Sequence, residues 1–567
     1  MKRAVRAGAI CAALALCILG AGVHPTFDAR AFGAFARGVF PPDLSPAFLR
    51  VVALAIARTL GIALTGTVLS ILWGLPLGVL ATPSLFRRGP LLAGERFGAQ
   101  RALLAASSLA SRALLRFLRA VPDLVWALLF VVGFGLGPLP GALALGVSAA
   151  GILGRVYADL FESVPTGPVI ALHAAGASRM QVFAAAIWPQ AKPSVAAYTL
   201  YSFECCVRAA AVLGFVGAGG IGGEINLSMR LFEYGQVLTL LFAFVILVLL
   251  TDAASRRLRG RFQRNAVHGS SFLKGPVEET RAPRRIHPVI WIVLAALAFQ
   301  QAGFLGLAAP GLLGHFGRFA RQLFPPDLST GFLASLIEPL WQTISISVVG
   351  TAIGIALGGA LALPATATLL LDRRDSSGLL GRPAGLAAYA VSRLVLALLR
   401  SIPELVWVLL CILAVGLGPF AGALALGLHT AGVLGKLYAE TLEEVPDGPV
   451  EELRAGGATR PQRLLWAMWP QARDMLLGYT LLRWETNIRV STVVGLVGGG
   501  GLGLALYNNV QLGFYPRAAT LVLLIYFLVS VTDWLSDRLR KPVTSADAPP
   551  ASAMELVSAA SGTPAAP

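Results

Sequence analysis

The stretch that decides the fold occurs twice in this chain. The first copy reads GPVIALHAAGASRMQVFAAAIWPQ over residues 167–190, and the second reads GPVEELRAGGATRPQRLLWAMWPQ over residues 448–471. Each copy is a short polar helical segment that carries a glycine at the same position, ends in Trp-Pro-Gln and runs into an apolar helix. Polar helical segments between membrane spans do not face lipid, because their polar groups would be costly to bury there. Both copies are therefore predicted to form a docking surface in the cytoplasm.

The repetition extends far beyond these two stretches. The run FPPDLS occurs at residues 40–45 and again at 324–329, and the identical runs GLGP and GALALG fix the same register further along. The offset between the copies is 284 residues at FPPDLS and 281 residues at Glu204 and Glu485, and the change falls in a loop. A repeat of this length indicates duplication of a complete structural unit.

The composition is that of a membrane protein. Hydrophobic residues make up 56% of the 567 positions and charged residues 13%, and the mean hydropathy is +0.72. Soluble domains carry about 25% charged residues. The net charge of +17 comes from arginines clustered beside apolar spans, which is the positive-inside pattern. Lipid is therefore the expected surrounding, and nucleic-acid binding is not expected.

About six apolar helices are predicted in each half, since a span needs about 20 apolar residues. In the first half they cover 7–23, 50–82, 104–134, 140–160, 191–215 and 234–254. Arg119 and Pro122 interrupt the third, which is expected to be an amphipathic helix that runs into a short kinked span. The first segment also has signal-peptide character. Its repeat counterpart at 289–310 lies inside the chain, so a retained span is expected.

An even number of spans per half gives two parallel repeats of an all-α polytopic membrane protein. The predicted division is a first half at 1–254, a basic cytoplasmic linker at 255–287, a second half at 288–541 and a disordered tail at 542–567. The loops at 86–101 and 255–269 are basic, whereas those at 135–141 and 216–228 carry almost no positive charge. The rule that basic loops stay inside places both termini and both copies of the docking stretch in the cytoplasm.

The docking stretch and the helix after it resemble a known family. Gly176 or Gly457, the Trp-Pro-Gln and the following FE…VR…VLGFVGAGGIG look like the phosphonate-type permease subunit of ABC importers, within the binding-protein-dependent permeases that share a cytoplasmic "EAA" loop. The resemblance covers nearly all of each half, including RAVPDLVW at 119–126 and RSIPELVW at 400–407. It implies a MetI-like ABC importer permease fold in a bacterial inner membrane.

The resemblance also implies the partners. Two separate ABC ATPase subunits would drive transport, and a periplasmic or extracytoplasmic substrate-binding protein would deliver the solute. Such importers need two membrane units, so a double-length fused chain is expected to act as one copy per transporter. The chain itself would then be no enzyme and would need no cofactor.

Carried over to this sequence, the ATPase-coupling loop consists of Gly176, Pro189, Glu451, Gly457 and Pro470. The first half departs from the family pattern, because Ile170 stands where the second half has Glu451. Both halves also have Trp in place of Leu before the proline. Equal coupling by the two halves is therefore an open question. A glycine between two short helical pieces permits a sharp bend, which suits an elbow that enters a groove of the ATPase.

Two pairs of ionisable residues lie in the middle of apolar helices. Glu204 and Arg208 are four positions apart, as are Glu485 and Arg489, so each pair shares one helix face. Ionisable groups at this depth are expensive and usually face a cavity or a partner. Two interpretations stay open: ion pairs that hold helices together, or arginines (Arg208 and Arg489) that contact an anionic substrate transiently on a shared axis. No metal-ligand spacing is present.

Glycine-rich runs follow these helices. VGAGGIG at 216–222 and VGGGGLG at 497–503 superficially match a nucleotide loop, but neither follows a strand of a soluble βαβ unit. They are predicted to form tight extracytoplasmic re-entrant turns that help to close the pathway. The glycines assigned to these turns are Gly217, Gly219, Gly220, Gly222, Gly498, Gly500, Gly501 and Gly503.

The predicted function is import of phosphonate or a related small phosphorus oxyanion. The first alternative keeps the ABC mechanism and changes the solute to phosphate, phosphite or an amino acid, because selectivity in this class lies largely in the binding protein. The second is a secondary transporter with two six-helix halves, which would need no docking loop.

Overall fold

A computed structural model describes residues 40–86, 98–269, 299–303, 312–370 and 381–544, together with the single residues 33, 38 and 296. The predicted first span at 7–23, most of its counterpart at 289–310, the end of the linker and nearly all of the C-terminal tail lie outside these residues.

The first half is a succession of helices. They are α1 Pro46–Ala81, α2 Ala99–Ala120, α3 Asp123–Phe134, α4 Pro138–Glu162, α5 Thr166–Ala174, α6 Arg179–Val182, α7 Trp188–Leu213, α8 Gly220–Arg230 and α9 Tyr234–Gly269. One turn of helix at Pro83–Phe86 follows α1, and a π-helical segment at Phe183–Ile187 joins α6 to α7.

The second half repeats this order. Its helices are α10 Leu312–Gln322, α11 Thr330–Ser335, α12 Ile337–Ala365, α13 Gly381–Ser401, α14 Glu404–Val415, α15 Pro419–Glu443, α16 Asp447–Ala455, α17 Arg460–Arg463, α18 Trp469–Val494, α19 Gly501–Gln511 and α20 Tyr515–Thr544. The all-α class and the duplication are confirmed, and every described element is helical.

Within the described ranges, eight helices are long and apolar enough to cross a membrane, or ten if each bent pair is one span. The predicted kink is confirmed: α2 and α3 are bent by 88°. Val121 is extended there (φ −79°, ψ 121°), because a residue before proline is disfavoured in the helical conformation. Pro122 thus ends one helix and caps the next.

Close helix packing holds each half together through small residues. A Cβ on Gly78 of α1 would lie 2.8 Å from the carbonyl oxygen of Gly154 on α4, so only glycine lets these backbones approach. Gly358 of α12 stands in the same relation to Ala431 of α15, again at 2.8 Å. Small residues at helix contacts are the usual way in which membrane helices associate.

By packing, the described residues divide into one unit within 36–324 and another within 325–544. The division between these two units lies at Phe324–Pro325, and the repeat boundaries at 254 and 288 stay predictions from the sequence. Within the first unit, Phe316 of α10 stacks on Phe134 of α3, with ring centroids 4.5 Å apart and planes 8° apart. A helix that belongs to the second repeat by sequence therefore packs on the first repeat's bent helix.

Candidate functional site

The first docking stretch folds as an elbow. Helix α5 ends at Ala174, and Gly176 then takes a left-handed conformation with φ +87°. The N–H of Gly176 donates to the carbonyl of His173 at 3.0 Å, and the N–H of Ala177 donates to Leu172 at 3.1 Å. This pair of bonds is a Schellman helix end, which strongly favours glycine at the left-handed position.

The second docking stretch makes the same turn from different residues. Gly457 has φ +79°, its N–H donates to the carbonyl of Arg454 at 2.9 Å, and the N–H of Ala458 donates to Leu453 at 3.0 Å. The sharp bend that the sequence predicted at Gly176 and Gly457 is thus present in both halves.

A capping box starts the helix after each elbow. The side chain of Gln181 accepts from the Ser178 N–H at 2.8 Å, and Gln462 accepts from the Thr459 N–H at 2.8 Å. Such reciprocal caps satisfy the free N–H groups of a helix start.

The chain then passes through a π-helical segment into each long helix, at Phe183–Ile187 and at Leu464–Met468. Pro189 and Pro470 follow immediately, in the first turn of α7 and α18. A proline has no N–H to donate to the preceding turn, and a π-bulge is one way in which a helix absorbs that loss.

Each elbow is fastened to the membrane helices by a buried apolar core. In the first half, Phe161 at the end of α4 meets Phe183 edge-on, with centroids 5.2 Å apart, and Val182 and Ile187 are buried beside them. In the second half the core contains Leu442, Met468, Ala472 and Leu476, among others. The apolar core thus packs the first elbow against α4 and α7 and the second elbow against α15 and α18.

The two elbows differ in what they expose. On the second elbow, Trp466 is 75% exposed, Leu465 60% and Trp469 53%. The repeat positions of Leu465 and Trp466 in the first half are Ala184 and Ala185. The first elbow instead exposes Ile170 (47%) and Met180 (59%). The two elbows therefore present different apolar side chains, and the second also exposes Glu451.

The predicted charge pairs are formed, and they differ between the halves. Arg208 lies 3.2 Å from Glu204. Arg489 lies 3.8 Å from Glu485 and 3.2 Å from Asp533, which ties α18 to α20.

The glycine turns close tightly against the first long helix of each half. The N–H of Ile221 donates to the Thr59 hydroxyl at 2.9 Å, and the N–H of Leu502 donates to Thr343 at 2.8 Å. The axes on either side of the second turn are bent by 42°. The assigned glycines with positive φ are Gly217, Gly219, Gly220, Gly498, Gly500 and Gly501. At the other two, a Cβ would collide with a carbonyl oxygen: Ala211 for Gly222 and Thr492 for Gly503.

A buried ionic cluster, which the sequence reasoning missed, lies in the second half. Oε1 of Glu404, the first residue of α14, is 3.2 Å from Nη2 of Arg483 on α18 and 3.2 Å from Nε2 of His429 on α15. We call Glu404, His429 and Arg483 the ionic cluster. A comparison of the repeats could have found it, since the first half has Asp123, Ser148 and Ser202 at these positions.

Neutral polar residues support the ionic cluster from one side. Nε of Arg483 donates to the Thr430 hydroxyl at 3.3 Å. The amide nitrogen of Asn487 donates to Thr430 at 3.1 Å and to Thr351 at 2.8 Å. These bonds join α12, α15 and α18 and fix the direction of the guanidinium.

Two duplicated helical units, each with apolar spans and one elbow fastened to them, define a membrane subunit of a transport system. The family described as "Binding-protein-dependent transport system inner membrane component" matches this chain twice, at residues 98–264 and 378–544. The chain belongs to this family. Its members are membrane components that work with a substrate-binding protein and an ATPase, so the chain is a multi-pass inner-membrane transport subunit and not an enzyme.

Relatives span both halves or one of them. The "Phosphate-import permease protein PhnE" of Mycolicibacterium smegmatis is 32% identical over 521 residues, which cover 89% of this chain and 88% of the relative. The "Phosphite transport system permease protein PtxC" of Stutzerimonas stutzeri is 39% identical over 39% of this chain and 75% of the relative. The "Putative cryptic phosphonate transport system permease protein PhnE2" of Escherichia coli is 44% identical over 21% of this chain and 97% of the relative.

A solved structure of the MetNI methionine ABC transporter in an inward-facing conformation covers 38% of this chain and all of its own, with 24% identity and a TM-score of 0.33. Members of this family depend on a binding protein. The family membership therefore argues against the alternative of a secondary transporter with two six-helix halves.

Proposed function

We propose that this chain is the complete membrane part of an ABC importer for phosphonate or a related small phosphorus oxyanion. The observation that carries the proposal is the presence of two elbows, with the same Schellman turn and capping box, in one chain of a family of importer permeases. The named solutes of the three relatives, phosphate, phosphite and phosphonate, support the solute class.

The proposed assembly has one chain, two ATPase subunits and one substrate-binding protein. Each elbow seats in one ATPase, with Gly176 and Pro189 shaping the first elbow and Glu451, Gly457 and Pro470 the second. Both termini lie in the cytoplasm, because the basic loops do. The binding protein delivers its solute at the opposite face, where the glycine turns lie.

Coupling follows from the way in which the elbows are packed. ATP binding draws the two ATPases together and moves the elbows with them. The contact of Phe161 with Phe183 carries this motion to α4 and α7, and the core around Leu442 and Met468 carries it to α15 and α18. The membrane helices then rearrange so that the pathway opens outward. The glycine turns, anchored on Thr59 and Thr343, close the pathway in the resting state.

Arg489 is proposed to tie helices together, because it reaches Asp533 as well as Glu485. Arg208 pairs with Glu204 and is 38% exposed. Of the two, Arg208 is the better placed for a transient contact with an anion.

The test is uptake by proteoliposomes that contain the chain, its ATPase and its binding protein. ATP-dependent uptake of methylphosphonate, phosphite or phosphate is expected, with no uptake when ATP is left out. Uptake of an amino acid in place of these anions would contradict the proposed solute. Uptake driven by an ion gradient without ATP would contradict the importer mechanism.

A further inference from the structure

The ionic cluster of Glu404, His429 and Arg483 places one carboxylate between two cationic side chains. Glu404 lies 3.2 Å from each of them, and the three residues come from three different helices. Charged groups inside a membrane protein are expensive and mark functional sites more often than scaffold. The arrangement is therefore unlike the pair of Arg489 with Glu485 and Asp533, where two carboxylates share one cation.

Hydrogen positions in the cluster follow from its acceptors. Nδ1 of His429 is 2.9 Å from the carbonyl oxygen of Ile402, and a carbonyl only accepts, so Nδ1 carries a hydrogen. Nε2 then faces the Glu404 carboxylate at 3.2 Å. A neutral imidazole protonated at Nδ1 and an ionised carboxylate would both be acceptors there. One more proton must lie between Nε2 and Oε1.

That proton fixes the charge of the cluster. It resides on the imidazole or on the carboxyl, and Arg483 is always protonated in proteins. In either case the three side chains together carry one net positive charge. A monovalent anion would neutralise it.

The cluster is most exposed at its carboxylate. The side chain of Glu404 is 27% exposed, whereas those of Arg483 and His429 are 12% and 11% exposed. The carboxylate thus forms the open side of the cluster, and the two donors lie behind it. Thr430 and Asn487 hold Arg483 in place from the buried side. An arriving oxyanion can replace the Glu404 carboxylate as the acceptor for Nη2 of Arg483 and Nε2 of His429.

The first half lacks the cations of such a site. Ser202 and Ser148 replace Arg483 and His429 there, while Asp123 keeps the acidic position. The cluster of one carboxylate and two cationic side chains at these repeat positions is therefore specific to the second half.

From these observations we infer that the second half carries an oxyanion site of the permease itself, in which Arg483 and His429 bind a phosphorus oxyanion in place of Glu404. The inference deepens the proposed function and rests on it. The ligand chemistry is a tetrahedral phosphorus oxyanion with P–O⁻ acceptors, as in methylphosphonate, phosphite or a phosphate ester. Arginine donates to such groups through a fixed fork of N–H bonds.

The experiment compares Arg483→Ser and His429→Ser, which introduce the residues of the first half, with the wild type in proteoliposomes. Ser202→Ala, at the first-half position equivalent to Arg483, is the matched control. Uptake of methylphosphonate per folded transporter is expected to fall about tenfold or more in both cluster variants, as a lost charge-assisted hydrogen bond would give. Basal ATP hydrolysis and uptake by the control are expected to stay unchanged.

Arg483→Lys tests whether uptake depends on the fork geometry of the guanidinium. Lysine keeps the charge and loses the fork, so it is expected to recover part of the uptake that Arg483→Ser loses. If Arg483→Ser does not fold, Arg483→Lys and His429→Gln supply the same comparison. Unchanged uptake per folded molecule in the cluster variants, or a loss that only follows the folded fraction, would overturn the oxyanion site.

Lipid composition distinguishes a solute from a lipid phosphodiester. The uptake defect of Arg483→Ser is expected to be the same in vesicles of phosphatidylcholine alone and in vesicles with phosphatidylglycerol. A defect confined to phosphatidylglycerol vesicles would show that the cluster binds lipid, against the inference. Failure of the wild type to take up any phosphorus oxyanion would instead contradict the proposed function. Failure of the oxyanion site and failure of the proposed function therefore give different results.

Discussion

The guanidinium of Arg489 on α18 lies 3.2 Å from the carboxylate of Asp533 on α20, a residue 44 positions further along the chain. Glu485, one turn earlier on α18, lies 3.8 Å from the same nitrogen. All three side chains are at most a quarter exposed. The contact therefore works as a buried tie between two membrane helices.

Arg489→Gln is expected to destabilise the protein, because it leaves two carboxylates without their cation. The cost is about 3–5 kcal/mol where the site is dry, and less where water enters. Arg208→Gln is the matched comparison and is expected to cost less, because Arg208 forms a salt bridge with one carboxylate, that of Glu204, whereas Arg489 forms salt bridges with two. Thermal unfolding in detergent measures both. Uptake per folded molecule is expected to survive Arg489→Gln, and a sharp fall of uptake at unchanged stability would instead assign Arg489 to the substrate pathway.

Gly457→Pro is expected to depress transport and stimulated ATP hydrolysis without preventing membrane insertion. Proline cannot adopt the φ of +79° found at this position, and it has no N–H to donate to Arg454. Gly478→Ala is the control, because Gly478 lies inside α18 with open space where a Cβ would be. Stimulated ATP hydrolysis, measured in Gly457→Pro and in the control, tests this prediction. Normal coupling in Gly457→Pro would contradict the docking role of the second elbow, whereas equal damage by Gly176→Pro would remove only the asymmetry between elbows.

Trp466→Ala is expected to weaken the binding of the ATPase about tenfold or more, as loss of an aromatic anchor from an interface does. The stability of the chain alone should change little, since Trp466 is 75% exposed. Trp534→Ala removes a tryptophan that is 53% exposed on α20 and serves as the control. The affinity of each variant for the purified ATPase is measured. If Trp466→Ala binds the ATPase as tightly as the wild type does, Trp466 does not belong to the interface.

One chain is expected to assemble with two ATPase subunits, because both elbows have the same geometry. The mass of the intact complex in detergent checks this expectation. A complex that contains two 59.3 kDa chains per pair of ATPases would show that the halves do not suffice as one transporter.

Asp327→Asn is expected to lower stability at neutral pH but not in acid. The backbone N–H of Ser329 and then the Ser329 side chain and Arg517 hold the pKa of Asp327 below its ordinary value. A depressed carboxyl pKa stabilises the fold above the unfolded-state pKa, and this stabilisation is lost as the pH falls through the folded-state pKa. The difference from the wild type should thus shrink below about pH 4.

Asp43→Asn provides the comparison for Asp327→Asn. Asp43 is the repeat equivalent of Asp327, its pKa is also lowered by Ser45, but Gln236 stands where the second half has Arg517. A smaller effect is expected in thermal unfolding measured across pH. An Asp327→Asn difference that stays constant down to acid would mean that the charge of Asp327 is not what stabilises the loop.

Local chemistry made much of the architecture predictable. The length of the apolar runs determined the spans, Pro122 determined the break between α2 and α3, and Gly176 and Gly457 determined the elbows. Each of these features depends on a few neighbouring residues. They could be predicted from the sequence because proline restricts the backbone conformation and glycine widens it at any position in the chain.

Only the tertiary structure decided which distant residues meet. Glu404 contacts Arg483 across 79 positions, and Phe316 packs on Phe134 although the repeat assigns them to different halves. Helix periodicity cannot supply such pairings, because it gives the face of a residue on its own helix and not the neighbour of that face. The sequence by itself therefore determined the duplicated helical chain and its two elbows. The folded helices determined where its charges lie, because the free energy of a buried charge depends on the groups that surround it.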